Sequence, residues 1–143
     1  MTEILVIGSN TSGRHGLGAA KYAVEHYGLQ YGIGVGRSGM AYAIPTKKDG
    51  PGFTRTGKRE LVVMSIEEIK PYVDEFLRYA KEHPELTFKV TAVGTGLSGY
   101  SHETMGKLFD GVPVNCIMPK QWFDYIRTLI SDGRRWHDEG KTI

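Results

Sequence analysis

The sequence predicts an α/β protein of three layers, α/β/α, in which a central mixed and largely parallel sheet is covered by helices on both faces. Two observations carry this. Short apolar runs rich in branched residues alternate with segments of helical spacing, an order that calls for a sheet with helices on either side. Two of the runs end in glycine-rich turns that lead into helices, at residues 8–20 (Gly-Ser-Asn-Thr-Ser-Gly-Arg-His-Gly-Leu-Gly-Ala-Ala) and 94–100 (Gly-Thr-Gly-Leu-Ser-Gly-Tyr). At 143 residues the chain suits one domain able to bury most of the surface its unfolded form exposes, with residues 131–143 expected as a C-terminal tail.

Glu3 to Ile7 reads as a buried strand, being short, apolar and branched. From Gly16 to Tyr27, Leu17, Ala20, Ala23, Val24 and Tyr27 fall at helical spacing, and Gly28 is a natural stop. A glycine-dense connection spans Gly28 to Gly39, and Met40 to Ile44 reads as a strand closed by Pro45. Residues 46–59, with Pro51 between two glycines, read as a mobile loop, and Leu61 to Met64 as a strand or edge segment. Ser65-Ile-Glu-Glu68 is a capping box, and Ile69, Tyr72, Val73, Phe76, Leu77 and Ala80 continue one apolar helical face. Leu86 to Val93 alternates and then becomes apolar, as a strand entering the interior does. Ser101 caps a short helix to Phe109, Gly111 stops it, and Val112 to Met118 is a further buried strand. Pro119 opens a last helix with Trp122, Phe123, Ile126, Leu129 and Ile130 on its apolar side, and Trp136 and His137 fall in a frayed tail.

Composition excludes several classes. Lys and Arg number 18 against 16 Asp and Glu, a net charge of +2 that is too balanced for a general nucleic-acid binder. The basic residues do cluster, at Lys47, Lys48, Arg55, Lys58 and Arg59 and at Arg134 and Arg135; such a cluster serves as a solvated loop or as a positive rim for a small anion. Cys116 is the single cysteine and sits in an apolar run, so it reads as a buried thiol in a protein of the reducing cytoplasm. No apolar run approaches the ~18 residues that span a bilayer. The five histidines lack a cysteine or carboxylate partner at metal-ligand spacing, so no metal is expected. Walker-type and nucleophile-elbow motifs are absent.

The glycine turns carry the chemistry. A strand that ends in glycine and starts a helix leaves unpaired N–H groups at the positive end of the helix dipole, a receptor for phosphate. Two of them point to a diphosphate or nucleotide pocket. Gly34-Val-Gly36-Arg-Ser-Gly39 has a dinucleotide spacing but precedes a strand, which is the wrong context. Gly94-Thr95-Gly96-Leu97-Ser98-Gly99 is correctly placed, yet no Asp or Glu stands near 113–119 to hold a ribose. Nicotinamide redox chemistry is therefore not expected, and no cofactor is called for. The turn either faces an anion with its amides or uses glycine for backbone angles alone. In the first turn Asn10 sits at a strand's C-terminal end, positioned to fix a ribose hydroxyl or a ligand amide. Arg14 and His15 bring positive charge to a helix start, a poor place for the helix and a useful one for an anion. His15 reads either as a general acid or base or as a solvated histidine.

Taken together, Gly8-Ser9-Asn10, Gly13-Arg-His-Gly16-Leu-Gly18-Ala-Ala, Tyr42-Ala-Ile-Pro45-Thr46 and Gly94 to Tyr100 resemble a macro domain, and more narrowly a family of small phage and bacterial macro-like proteins of unassigned activity. The likeness spans about residues 4–123. It implies a macro-like fold that binds ADP-ribose or another NAD-derived nucleotide, with Asn10, Gly16 and Gly18 at the distal ribose and Thr95 through Tyr100 at the diphosphate. By the same likeness Gly8, Ser9, Arg14, His15, Pro45, Thr46 and Gly94 complete the site. This chain departs from the family at its N-terminus, where the acidic residue that reads adenine is missing or replaced, and at Arg14 and His15, which interrupt the glycine run. Three functions follow. One is a binding module that sequesters a nucleotide signal in the cytoplasm, the host's if the chain is phage-encoded, as an anti-defence device. The second is an ADP-ribosyl or nucleotide-derivative hydrolase, in which Asn10 positions water and His15, His102 or Glu103 moves protons. The third is a nucleic-acid-associated protein using residues 47–59, Trp122 and Trp136. Self-association is left open.

Overall fold

The computed structural model describes residues 3–53, 59–126 and 135–138. Its elements run β1 (Glu3–Asn10), α1 (Gly18–His26), β2 (Gly36–Ser38), β3 (Ala41–Phe53), β4 (Arg59–Val63), α2 (Ile66–Glu82), β5 (Thr87–Val90), α3 (His102–Leu108), β6 (Cys116–Pro119), a 3-10 helix (Lys120–Tyr125) and β7 (Trp136–His137). The seven strands form one sheet ordered β2-β3-β1-β5-β6-β7, with β4 added to β3. β3, β1, β5, β6 and β7 are mutually parallel, while β2 and β4 pair antiparallel with β3. The fold is the three-layer α/β/α arrangement, with a mixed and mostly parallel sheet.

Strand alternation sends successive side chains of β1 to opposite layers. Ile4 and Val6 join Tyr42, Ile44, Phe88 and Val90 beneath α2, α3 and the 3-10 helix. Leu5 and Ile7 join Ala41 and Ala43 beneath Ala20 and Ala23 of α1. Phe76 of α2 centres the first layer, its ring within 5.1 Å of Tyr42, 5.5 Å of Phe88 and 6.2 Å of Phe109. The capping box forms as the sequence predicts: Ser65 Oγ accepts from Glu68 N at 3.2 Å, and Glu68 Oε1 accepts from Ser65 N at 2.9 Å. Lys48 pairs with the other oxygen of Glu68, and its hydrogen bond is the first cause that holds this carboxyl below the ordinary range.

Several elements differ from the sequence reading. Residues 46–53 are not loop, because β3 continues through Pro45 and pairs with β4 from Lys47↔Val63 to Phe53↔Arg59. Pro45 does not end the strand. It sits beside the register shift between Ser9 and Asn10, where a residue lacking an N–H fits. Residues 54–58, and with them Arg55 and Lys58, lie outside the described residues. The connection from Gly28 to Gly39 contains β2. β5 leaves the ladder after Val90, and β6 starts only at Cys116; Cys116 itself is buried.

α1 begins at Gly18, so Leu17 is its 68%-exposed N-cap residue and not part of the apolar face. The last helix is 3-10 over Lys120–Tyr125, and its three-residue turn separates neighbours that one α-helical face would share. Trp122 is therefore buried while Phe123 is 42% exposed, its ring 5.0 Å from Trp136. Leu129, Ile130 and Arg134 lie outside the described residues, as does the tail at 131–134 and 139–143. Trp136 and His137 are not frayed: they pair with Met118 and Pro119 as β7.

His137 Nε2–H donates to the Val90 carbonyl at 2.7 Å, and Nδ1 is buried with no partner among the described residues. Burial is the main cause that pushes this imidazole below its usual 6.5, against the raising effect of the Val90 bond. The folded ring stays neutral where the unfolded chain's histidine takes a proton. The unfolded state then binds more protons, so stability held above the usual value is lost as pH falls below it. Urea midpoints at about pH 7.5 and about pH 5.5 are expected to differ more in the wild type than in His137→Gln. Equal differences would remove His137 from the acid sensitivity.

Candidate functional site

The strand order fixes where a ligand can sit. From β1 the chain passes through α1 to β3 on one side, and α2 later returns it to β5 on the other, so the connections diverge at β1. In open α/β sheets such a switch point leaves a crevice at the carboxyl ends of the strands. A cleft of ≈ 670 Å³ lies there, lined by the ends of β1 and β5, by the start of α1, by Thr46 and Lys47 of β3 and by residues 94–98. The volume is that of a small-molecule site.

Both glycine turns face this cleft. Gly16, Leu17, Gly18, Ala19 and Ala20 line one wall; α1 has no side-chain cap and no acidic residue in its first turn, and the amides of these five residues find no partner among the described residues. On the other wall the turn closes on itself through Thr95 N to Ala92 O, Gly99 N to Gly96 O at 3.0 Å and Tyr100 N to Gly94 O at 2.9 Å. The amides of Gly96, Leu97 and Ser98 between them are unpaired among the described residues. Gly94 is required for the turn: its φ is +80°, and a Cβ there would meet Met105 Sδ at 2.9 Å.

The expected site residues divide. Gly8, Ser9, Asn10, Arg14, Gly16, Gly18, Thr46, Gly94, Thr95, Gly96, Leu97 and Ser98 line the cleft. Pro45, His15, Gly99 and Tyr100 do not. Tyr100 packs against the core and donates its hydroxyl proton to the Met64 carbonyl at 2.6 Å. His15, 3% exposed, turns its ring to the loop before β2, with Nε2–H donating to Ile33 O at 2.7 Å and Tyr31 edge-on at 6.0 Å.

Asn10 staples its own loop. Its Oδ1 accepts from Ser12 Oγ and Arg14 N, both at 2.9 Å, and its Nδ2 donates to Arg14 O at 2.8 Å. One amide hydrogen is left for a further bond. This loop is clamped to residues 32–34: Ser9 Oγ donates to Gly34 O, and Gly32 N donates to Gly13 O at 2.8 Å. Gly34 thus serves a close backbone approach, which explains glycine at a position whose dinucleotide spacing has no ligand meaning.

Sequence reasoning left Lys47, Tyr31, Leu61 and Thr91 outside the site, yet all four line the cleft. Lys47 could have been found from its register opposite Asn10, once Pro45 is read as mid-strand. His102 also lines the cleft. Buried Trp122 donates its indole N–H to His102 Nδ1 at 3.1 Å, so the neutral imidazole carries its proton on Nε2.

No helix among the described residues is long and apolar enough to cross a membrane. No family model, curated protein or solved structure matches the chain.

Proposed function

We propose that the chain binds an ADP-ribose-like or other NAD-derived nucleotide in this cleft and holds it in the cytoplasm without turning it over. The observation that carries the reading is the pair of amide rows, at 16–20 and 96–98, unpartnered and lining one cleft in which no Asp or Glu stands among the lining residues. A diphosphate supplies the acceptors that such rows lack, and Lys47 adds positive charge at the rim. The macro-domain likeness agrees with this choice of ligand, and sequestration of a nucleotide signal, as in a phage anti-defence protein, needs nothing more than tight binding.

Hydrolysis has less support. Asn10 is committed to its loop, and His15 is turned out of the cleft, so the pair lacks a base within reach of a bound water. Native mass spectrometry of protein purified from cells is expected to show one copurified nucleotide diphosphate per chain, and calorimetry with added ADP-ribose one site on the stripped protein. A stripped protein that gives no heat with ADP-ribose and carries no nucleotide from cells would overturn the assignment.

A further inference from the structure

We infer that the cleft selects its ligand by the diphosphate and is indifferent to the nucleobase; the inference rests on the nucleotide-binding reading above. Bases are told apart by the donors and acceptors on their edges, and both purines present donors, the amine of adenine and the amide and amine of guanine. A site that reads them needs acceptors. Among the residues lining this cleft there is no carboxylate, and the one amide oxygen, Asn10 Oδ1, already accepts two bonds from Ser12 and Arg14.

The hydroxyls are turned into the protein as well. Thr91 Oγ1 donates to Val6 O and Thr95 Oγ1 to Ala92 O, each at 2.7 Å. Ser9 is engaged by Gly34, and Thr46 and Ser98 bond each other at 2.7 Å. What remains for a ligand is chiefly donors: the two amide rows, the Lys47 ammonium and the Nε2–H of His102, whose proton position Trp122 sets. Donors of this kind suit phosphoryl oxygens and sugar hydroxyls.

The cleft also offers apolar surface for a ring face. Leu17, Tyr31 and Leu97 are 68%, 65% and 70% exposed, come from three separate loops, and all line the cleft. Stacking on such surfaces tolerates any base, because every base has a π-face. Hydrogen-bonding sites discriminate between ligands by ~10⁴–10⁵, whereas apolar surfaces discriminate by ~10–200 at most.

The test is calorimetry with ADP-ribose and its guanine and uracil counterparts, with inorganic pyrophosphate as competitor and Tyr31→Ala as the variant. The three nucleotides are expected to bind within about 10-fold of one another, pyrophosphate to compete with all three, and Tyr31→Ala to weaken all three by a common factor. A preference above ~100-fold for one base, or no competition by pyrophosphate, overturns base indifference while leaving nucleotide binding intact. Failure of all three to bind overturns both. Loss confined to one base in Tyr31→Ala makes Tyr31 a base reader and also overturns the inference.

Discussion

Gly34→Ala is expected to lower stability by about 2–3 kcal/mol, the upper part of the range for forced overpacking. The added Cβ would overlap the Asn10 carbonyl oxygen and come within 2.9 Å of Gly13 N and 3.0 Å of Thr11 C. These are backbone atoms, which cannot rotate aside as a side-chain tip can. The loop at 10–15 and the loop at 32–34 must then part, and the bonds from Ser9 to Gly34, Gly32 to Gly13 and His15 to Ile33 go with them. Urea unfolding of the variant should show a lower midpoint with an unchanged slope. A midpoint equal to that of the wild type would mean that the two loops are not clamped.

Gly96→Leu should do the reverse, sparing the fold and removing the ligand. A Cβ at Gly96 meets nothing within 4 Å, and the residue is not among the glycines of positive φ, so neither space nor backbone angle opposes a side chain. The leucine fills the cleft beside the amides of 96–98. Affinity for ADP-ribose is expected to fall by about 100-fold or more, some 2.7 kcal/mol, at an unchanged urea midpoint. Wild-type affinity in a folded Gly96→Leu protein would place the ligand elsewhere.

The contrast between these two glycines shows where sequence reading stops. Both turns at 8–20 and 94–100 are legible as strand-glycine-helix junctions, because the apolar run before each and the helical spacing after each are local. The α2 capping box is local as well, and Ser65 and Glu68 bond as their spacing demands. Gly34 is visible only as a glycine; the reason for it is Asn10, far away in the chain and touching only in the fold. Polar Lys47, Lys48 and Asp49 look like loop because a strand paired outside the core needs no apolar face, and here pairing with β4 decides the matter. His15 and His102 reverse their expected prominence for a similar reason. The partner of each, Ile33 and Trp122, is a tertiary contact that no spacing rule reports.

The layer between α1 and the sheet is built largely of small side chains, with Ala20 and Ala23 resting over Ala41 and Ala43. Methyl groups of that size let a helix axis settle close to the strands, with few rotamers to adjust. The first turn of α1 is consequently held at a set height above the end of β1, and its amide row keeps its orientation whether or not a guest is present. Preorganisation of this kind spares a binding partner the entropy of ordering its receptor. It also makes the guest's residence time sensitive to a single added methylene at Ala23, a residue that never meets it.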